Sequence, residues 1–333
     1  MSRIIALAVV ALVSGGAASW SVKPAASTAR DVRLIGRWDI TIRTPTGSAP
    51  SWLEIDSSGR EALVGRIVGI VGSARPITEI IAAGDSLRFA VPRQWEPGKG
   101  DLRVSFRLQG GRLRGLMTFP NGTSVNWEGV RAPWLAAARA PVWGTPVTLL
   151  SQNDLTGWEA MGPPDRWLVR SGAVDSAKST SNQWFVRNGV LTSPKSGVNL
   201  RTTRTFGDFK LHIEFRYPKE SNSGVYLRGR HEVQIEDDYG REPDSHRFSG
   251  VYGFIEPSEI AARPAGQWQT YDITLVGRSV SVVANGKQVI CNREIPGITG
   301  GAIDSNEGAP GPIYLQGDHG PVEYRNIVIT PAR

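Results

Sequence analysis

Apolar and polar residues alternate with period two in short runs along most of the chain, and turn residues separate the runs. Gly36-Arg-Trp-Asp-Ile-Thr-Ile-Arg43 places Trp38, Ile40 and Ile42 on one face of a strand. Similar runs follow at 52–55, 62–68, 75–81, 86–91, 101–108, 112–119 and 124–130. Ser57-Ser-Gly59, Ala83-Gly-Asp85, Gly110-Gly111 and Pro120-Asn-Gly122 lie between them, and Asn-Gly is a strong hairpin signal. About eight sequential strands with short loops predict an up-and-down antiparallel barrel over residues 31–131. Residues 132–145 carry Pro133, Pro141 and a short alanine run that would make at most one helical turn, and they read as a linker.

The alternation resumes at Pro146. In 206–216, Phe209, Leu211, Ile213 and Phe215 face one way, and Lys210, His212, Glu214 and Arg216 face the other. Residues 224–228 turn Val225 and Leu227 inward, with Tyr226 and Arg228 opposite. Further runs at 268–276, 279–284, 289–292, 311–316 and 322–330, with Asn285-Gly286 as a hairpin turn, complete the set. Long strands with one apolar face each predict two packed sheets, a β-sandwich of the jelly-roll kind over 146–333. No helix of ordinary length competes, so the fold class is all-β.

One run is unusually polar. Glu232-Val-Gln-Ile-Glu-Asp-Asp238 puts Val233 and Ile235 on one face and Glu232, Gln234 and Glu236 on the other, with Asp237 and Asp238 at the strand end. That face is too acidic for a core and too ordered for a turn, so it is either wet or lines a polar site. In a sandwich the outward faces would collect Glu214, Tyr226, Arg228, Glu232, Gln234, Tyr314 and Gln316, with His319 in a glycine-flanked loop beyond. Such a set offers carboxylates for acid–base work, an arginine for an oxyanion and amides for hydroxyls. Each member also has a bland reading. Arg228 opposite Glu232 would be an ordinary cross-strand ion pair, and Asp237 and Asp238 an acidic turn. His212, His231 and His246 read as surface or loop residues.

Composition narrows the function classes. Hydrophobic residues make up 40% and charged residues 21%, as in ordinary globular proteins, while 38 Gly and 22 Pro fit a turn-rich all-β chain. Residues 1–18 combine Arg3, an apolar run from Ile4 to Val13 and small residues before Ala18, as a signal peptide does. The run is shorter than the about 20 residues a membrane span needs. No lipid-acceptor Cys follows, and 19–30 reads as a disordered linker, so a periplasmic or secreted protein is expected. Cys291 is the single cysteine, which excludes an intrachain disulfide, and a buried, inert thiol is expected. The net charge of +7 is spread along the chain without a basic stripe, so nucleic acid is a poor partner.

Motif spacing excludes more than it assigns. His-x-x-x-His, Cys-x-x-Cys and Gly-x-Ser-x-Gly are absent, so zinc sites and serine hydrolysis find no support. No organic cofactor is expected. An oxygen-rich set such as Glu232, Asp237 and His319 would suit a divalent cation, Ca²⁺, Mn²⁺ or Mg²⁺, by ligand type. Gly36-Arg-Trp38 resembles the G-x-W that opens lipocalin-type barrels, over three residues. Trp95 with Arg93 and Gln94 would suit a ligand mouth there, although a purely structural barrel is the favoured reading.

The C-terminal half resembles the 3-keto-disaccharide hydrolase domain family. The ordered matches are Leu150–Trp158, Trp184–Leu191, Asp208–Arg216, Asn222–Arg228, Glu232–Asp237, Gly266–Trp268, Asn285-Gly286, Gly311–Gln316, His319-Gly320 and Tyr324–Ile327. Residues 159–183 form an insertion relative to the usual spacing, Asp318 intervenes between the Gln and His segments, and the N-terminal barrel lies outside the resemblance. The resemblance implies a fold similar to concanavalin-type lectins and glucanases. It also implies action on glycosides already oxidised to a ketone at C3, downstream of a glycoside 3-dehydrogenase. The ketone acidifies the C2 proton, a base removes it, the C1 substituent leaves by β-elimination, and water adds back. On that footing Glu232 or His319 is the expected base and Arg228 the oxyanion holder. Glu214, Gln234 and Gln316 would contact substrate or metal, and Asn222, Tyr226 and Tyr252 the sugar. Trp158, Trp184 and Trp268 are expected in the core. The rival class is a non-catalytic, lectin-like carbohydrate-binding module.

Overall fold

The computed structural model describes residues 32–45, 47–96, 98–135, 140–161 and 182–333. The expected signal peptide, the segment 19–30, the alanine run of the linker and most of the insertion lie outside the described residues. No helix occurs among the described residues; every regular element is a strand.

Eight strands in chain order close into an antiparallel barrel. They are β1 (Gly36–Thr44), β2 (Gly47–Ser58), β3 (Ala62–Val68), β4 (Ala74–Ala83), β5 (Ser86–Pro92), β6 (Asp101–Gln109), β7 (Arg112–Thr118) and β8 (Ser124–Arg131). Closure comes from β1 pairing with both β2 and β8. Trp38, Ile40 and Ile42 point inward, as their alternation requires, and meet Leu53, Phe89, Val104, Phe106, Met117 and Trp127. Ile40, Ser51, Leu53, Ile67, Phe89, Val104, Met117 and Trp127 meet with no room for a water among them. This interior is a packed core; a lipocalin barrel would hold a ligand there.

The second unit is a sandwich. Its strands are β9 (Val147–Thr148), β10 (Trp158–Ala160), β11 (Phe185–Arg187), β12 (Val190–Ser193), β13 (Leu200–Thr202), β14 (Phe209–Arg216) and β15 (Asn222–Leu227). They continue with β16 (His231–Glu236), β17 (Gln269–Val276), β18 (Ser279–Ala284), β19 (Lys287–Glu294), β20 (Tyr314–Leu315) and β21 (Val322–Pro331). One sheet has the order β10-β13-β20-β15-β16, and the other runs β11-β12-β21-β14-β17-β18-β19, with β9 also on β21. The late strands β20 and β21 thus insert between early ones, as in a jelly roll. Val225, Val233, Ile235 and Leu315 from the first sheet pack on Leu211, Ile213, Phe215, Tyr271 and Tyr324 from the second. Five elements of two to four residues, β9 to β13, escaped the sequence pattern because alternation needs more residues to show. The expected run 311–316 shrinks to β20. Cys291 is exposed on the edge strand β19, contrary to expectation, because its burial would need a neighbour beyond that edge.

The outer faces of β1, β2 and β3 press against the sandwich. Trp52, fully buried, packs with Val68, Ile298 and Ala302, and Phe254 lies edge-on to it at 5.3 Å. Gly297 and Gly300 permit this approach, since a side chain at either would strike Trp52 or the Gly72 backbone. Beside them Arg278 bonds Glu307 and the carbonyls of Pro296 (2.7 Å) and Pro133 (3.2 Å). Asp39 of β1 is 4% exposed next to Glu307, and burial together with the Glu307 charge pushes its carboxyl up to about 8. Arg278 and Arg228 pull the pair the other way, but burial leaves both carboxyls raised.

A linkage consequence follows. The folded-state value for Asp39, about 8, lies above its ordinary 3.8, so between those limits the folded protein binds more protons than the unfolded chain. The stabilisation is complete below about pH 4 and is lost as pH rises through 8. Thermal melts from pH 6 to 9 should show a falling midpoint, and Asp39→Asn, which keeps the shape without the proton, should make that slope shallower, leaving the share of other buried carboxyls. An unchanged slope would refute this account of the interface.

Candidate active site

The first sheet of the sandwich turns its polar face away from the core. Register sets three cross-strand pairs on that face: Tyr226 opposite Glu232, Gly224 opposite Gln234, and Asn222 opposite Glu236. From β20, Tyr314 lies opposite Tyr226, and the N–H of Gln316 bonds the Gly224 carbonyl at 3.0 Å. The period-two pattern that sends Val225, Val233 and Ile235 inward therefore gathers Glu232, Gln234, Gln316, Tyr226 and Asn222 in one place.

Glu232 is the centre of this group. It is 4% exposed, and its carboxylate leans over Gly224, where any Cβ would collide with it. Its backbone is held on both sides: its N–H bonds Thr299 Oγ1 at 3.0 Å, and its carbonyl accepts from Tyr252 N at 3.0 Å. Burial pushes the carboxyl up to about 8; the Tyr226 hydroxyl opposes this, and the charges of Asp318 and Glu236 reinforce it. Tyr226 also donates to the Gly300 carbonyl at 2.9 Å and stacks on Tyr314 at 4.1 Å. A hydroxyl has one proton, so Tyr226 serves Gly300 while Glu232 is protonated and can turn to the carboxylate once the proton leaves. Asn199 Nδ2 anchors the Tyr314 hydroxyl at 2.8 Å.

Tyr252 reaches the site through a strand-like segment that extends β16, since Gln234 exchanges backbone bonds with Ser249 and Gly250. Tyr271 of the other sheet donates to the Gln234 carbonyl at 2.6 Å through the core. Burial, with the charges of Glu232 and Glu236, pushes the Tyr252 hydroxyl up to about 12, so it stays a donor. His246 sits edge-on to Tyr252 at 5.1 Å. Glu236 is half-buried, and burial plus the Asp238 charge raises its carboxyl. The side-chain oxygens of Gln234 and Gln316 are buried and have no partner among the described residues. Two unpaired amide acceptors beside a buried carboxyl fit a ligand rich in hydroxyl donors.

Other expected members lie elsewhere. Arg228 follows β15 with a left-handed φ of 52°, which swings its side chain off the strand face. Its guanidinium bonds the Gly277 carbonyl at 2.5 Å, and Tyr226, not Arg228, stands opposite Glu232. Glu214 belongs to β14 of the other sheet and pairs with Arg325 (2.6 Å) and Asn326 (3.0 Å) on its outer face. The sandwich core separates it from Glu232. His319 is exposed beside Asp318 at 2.8 Å, with Glu236 within electrostatic reach. His231 is fully buried against the Gly297 carbonyl (3.1 Å), not at the surface.

The expected metal set of Glu232, Asp237 and His319 does not converge. Asp237 leaves the strand on the opposite side and accepts from the Glu220 N–H at 3.0 Å. Among the described residues no group of three or more His, Cys, Asp or Glu side chains is placed to hold an ion. Trp158 and Trp184 are core residues as expected, while Trp268 is half-buried between Arg216 and Arg325. Asn199 and Asp318 carried no signal as site members. Asn199 stands in an irregular segment before a three-residue strand, and Asp318 read as a spacer before the histidine.

No curated protein sequence matches the chain. Among solved structures, a protein of Parabacteroides distasonis, assigned provisionally as a glycosyl hydrolase, is 26% identical over 60% of this chain and 93% of its own, with a TM-score of 0.42. A second from that organism with the same assignment is 17% identical over 56% of this chain and 93% of its own, with a TM-score of 0.44. LamA of Zobellia galactanivorans, solved with laminaritriose and laminaritetraose, is 11% identical over 56% of this chain and 98% of its own, with a TM-score of 0.37. The model of the 3-keto-alpha-glucoside-1,2-lyase-like domain matches residues 145–330, more than half of the 333-residue chain and all of the Glu232 face. On that match, the chain belongs to the 3-keto-alpha-glucoside-1,2-lyase-like domain family.

Proposed function

We propose that the protein cleaves glycosides whose C3 hydroxyl has been oxidised to a ketone, with Glu232 as the base. The observation that carries this reading is the buried Glu232 carboxyl, pushed up to about 8 by burial and by the charges of Asp318 and Glu236, in a chain of this family. A carboxylate that holds a proton so tightly is a far stronger base than one in water, and it suits removal of a carbon-bound proton acidified by an adjacent ketone.

The steps balance without an added oxidant or reductant. Glu232 takes the C2 proton, and the C–H electrons move into the C2–C3 bond as the C3 oxygen becomes an oxyanion. The Tyr252 hydroxyl, kept protonated, stands in for the excluded Arg228 as the donor to that oxyanion. When the oxyanion collapses back to the ketone, a C1–C2 double bond forms, the C1–oxygen bond breaks and the leaving oxygen takes the proton that Glu232 has just received. Water then adds across the enone to complete the net hydrolysis. Gln234 and Gln316 accept from sugar hydroxyls, and Asn222 borders the same face. The substrate requires a prior oxidation by a glycoside 3-dehydrogenase, and an exported protein would meet it in the periplasm or outside the cell.

The rival reading, a lectin-like binding module, does not explain why a carboxyl is buried at the cost of its ionisation. Incubation with 3-keto-glucosides and with unoxidised glucosides, with and without a chelator, separates the two. Release of the aglycone from the keto substrate alone is expected, and binding without turnover under either condition would overturn the enzymatic reading. Glu232→Gln should lower kcat/KM by about 10²–10⁴ while leaving the thermal transition cooperative; near-wild-type turnover would remove Glu232 from the role.

The base must be ionised, so kcat/KM should rise with pH and level off above the Glu232 value of about 8. Gly224→Ala should push the carboxylate toward water, lower the rate and move the midpoint of that profile to lower pH. A profile identical to wild type would disprove the close packing of Glu232 on Gly224.

A further inference from the structure

The barrel end that meets the loops of Tyr252 and Gly300 exposes a large aromatic side chain. Trp95 is 63% exposed, although the segment that carries it is firmly built. Glu96 is buried against Arg75, Nη2 to Oε1 at 2.7 Å and Nη1 to Oε2 at 3.2 Å, and its carboxylate accepts from Gln94 N at 2.8 Å. Arg75 also bonds the Pro92 carbonyl at 2.9 Å. Gln94 bonds Ser73 twice, Oε1 from Ser73 N at 2.9 Å and Nε2 to Oγ at 2.8 Å. These bonds fix the backbone on both sides of Trp95 while leaving its indole in water.

The same barrel loop supports the loops beside Glu232. Gly72 lies between Trp95 and the sandwich: a Cβ there would meet the indole at 2.9 Å, and the Gly72 backbone touches Gly300 on its other side. Gly300 carries the carbonyl that receives the Tyr226 hydroxyl, and Gly301 N bonds the Ile70 carbonyl at 2.9 Å. Gly253, next to Tyr252, rests against Ser73 and Ala74. The two loops that bring Tyr252 and Gly300 to Glu232 therefore both lean on residues 70–74, and Trp95 packs on that loop.

We propose that Trp95 is an outer subsite of the Glu232 site, a platform on which the leaving-group ring of a disaccharide substrate stacks. This rests on the reading of Glu232 as the base for a C3-oxidised sugar. A pyranose has an apolar C–H face and a hydroxyl-bearing rim, which suits an exposed indole held rigidly, with the exposed Arg93 beside it for the hydroxyls. The barrel interior is filled, so this unit acts on ligands from its end, by lengthening the site of its neighbour.

The experiment uses the full chain with two keto substrates, a 3-keto-disaccharide and methyl 3-keto-glucoside. Trp95→Ala should lower the ratio of kcat/KM for disaccharide over methyl glycoside about tenfold, mainly through KM, and Trp95→Phe should restore most of it. An unchanged ratio, or equal losses on both substrates, overturns the platform. If the wild type cleaves neither substrate, the reading of Glu232 fails instead. The platform is then judged by calorimetric affinity for the disaccharide, where about a tenfold weakening in Trp95→Ala supports it and equal affinity overturns it.

Discussion

Burying the carboxyl of Glu232 is the constraint around which the sandwich is organised. A carboxylate taken out of water is expensive, and among the described residues no positive charge acts on Glu232 to offset it. The group instead holds its proton, shares a hydroxyl with Tyr226 and lies flat on Gly224. Those choices dictate the neighbours. Gly224 must lack a side chain, Tyr226 must be fixed by Gly300 and by stacking on Tyr314, and β16 must not shift by a residue, since a slip would send Glu232 into the core. The Tyr271 hydroxyl, reaching through the core to the Gln234 carbonyl, pins that register from the opposite sheet.

The barrel enters the same account as a brace. Its inward residues satisfy one another, so its outer residues are left for the interface: Trp52 against Phe254, Arg66 stacked over both rings, and Asp39 beside Glu307. Glycines at 72, 253, 297 and 300 bring the two backbones together without side chains between them. The loops fixed in this way are those that deliver Tyr252 and Gly300 to Glu232. Loops whose positions matter to chemistry gain precision from packing on a rigid body, and here that body is a separate domain.

The strand alternation made most of this legible beforehand. Trp38, Ile40 and Ile42 announced a barrel wall, and Glu232, Gln234 and Glu236 announced a polar sheet face, because period two is a local property of the chain. Which sheet a strand joins is not local. Glu214 shares its pattern with Glu232, but β14 pairs with β17 and β21 and faces the opposite side of the molecule. Arg228 failed for a different reason: parity predicts a side chain's direction only while the backbone stays extended, and the left-handed residue at 228 ends the strand. Cys291 shows a third limit, since burial of an outward position depends on whether another strand lies beyond it.

Loss of Arg228 from the site changes the chemistry that the site can support. A guanidinium beside Glu232 would have lowered its carboxyl and made it a weak base, suited to holding a cation or orienting a sugar. With Arg228 committed to Gly277, the field at Glu232 is set by burial and by other carboxylates, Asp318 and Glu236, all of which favour its protonated form. The same distribution raises Glu236 and keeps the Tyr252 hydroxyl a donor. The same carboxylates would resist a developing oxyanion, so the neutral donor that Tyr252 supplies matters as much as the base. What they favour is proton abstraction itself, because a base is strongest where its surroundings most resist its ionisation.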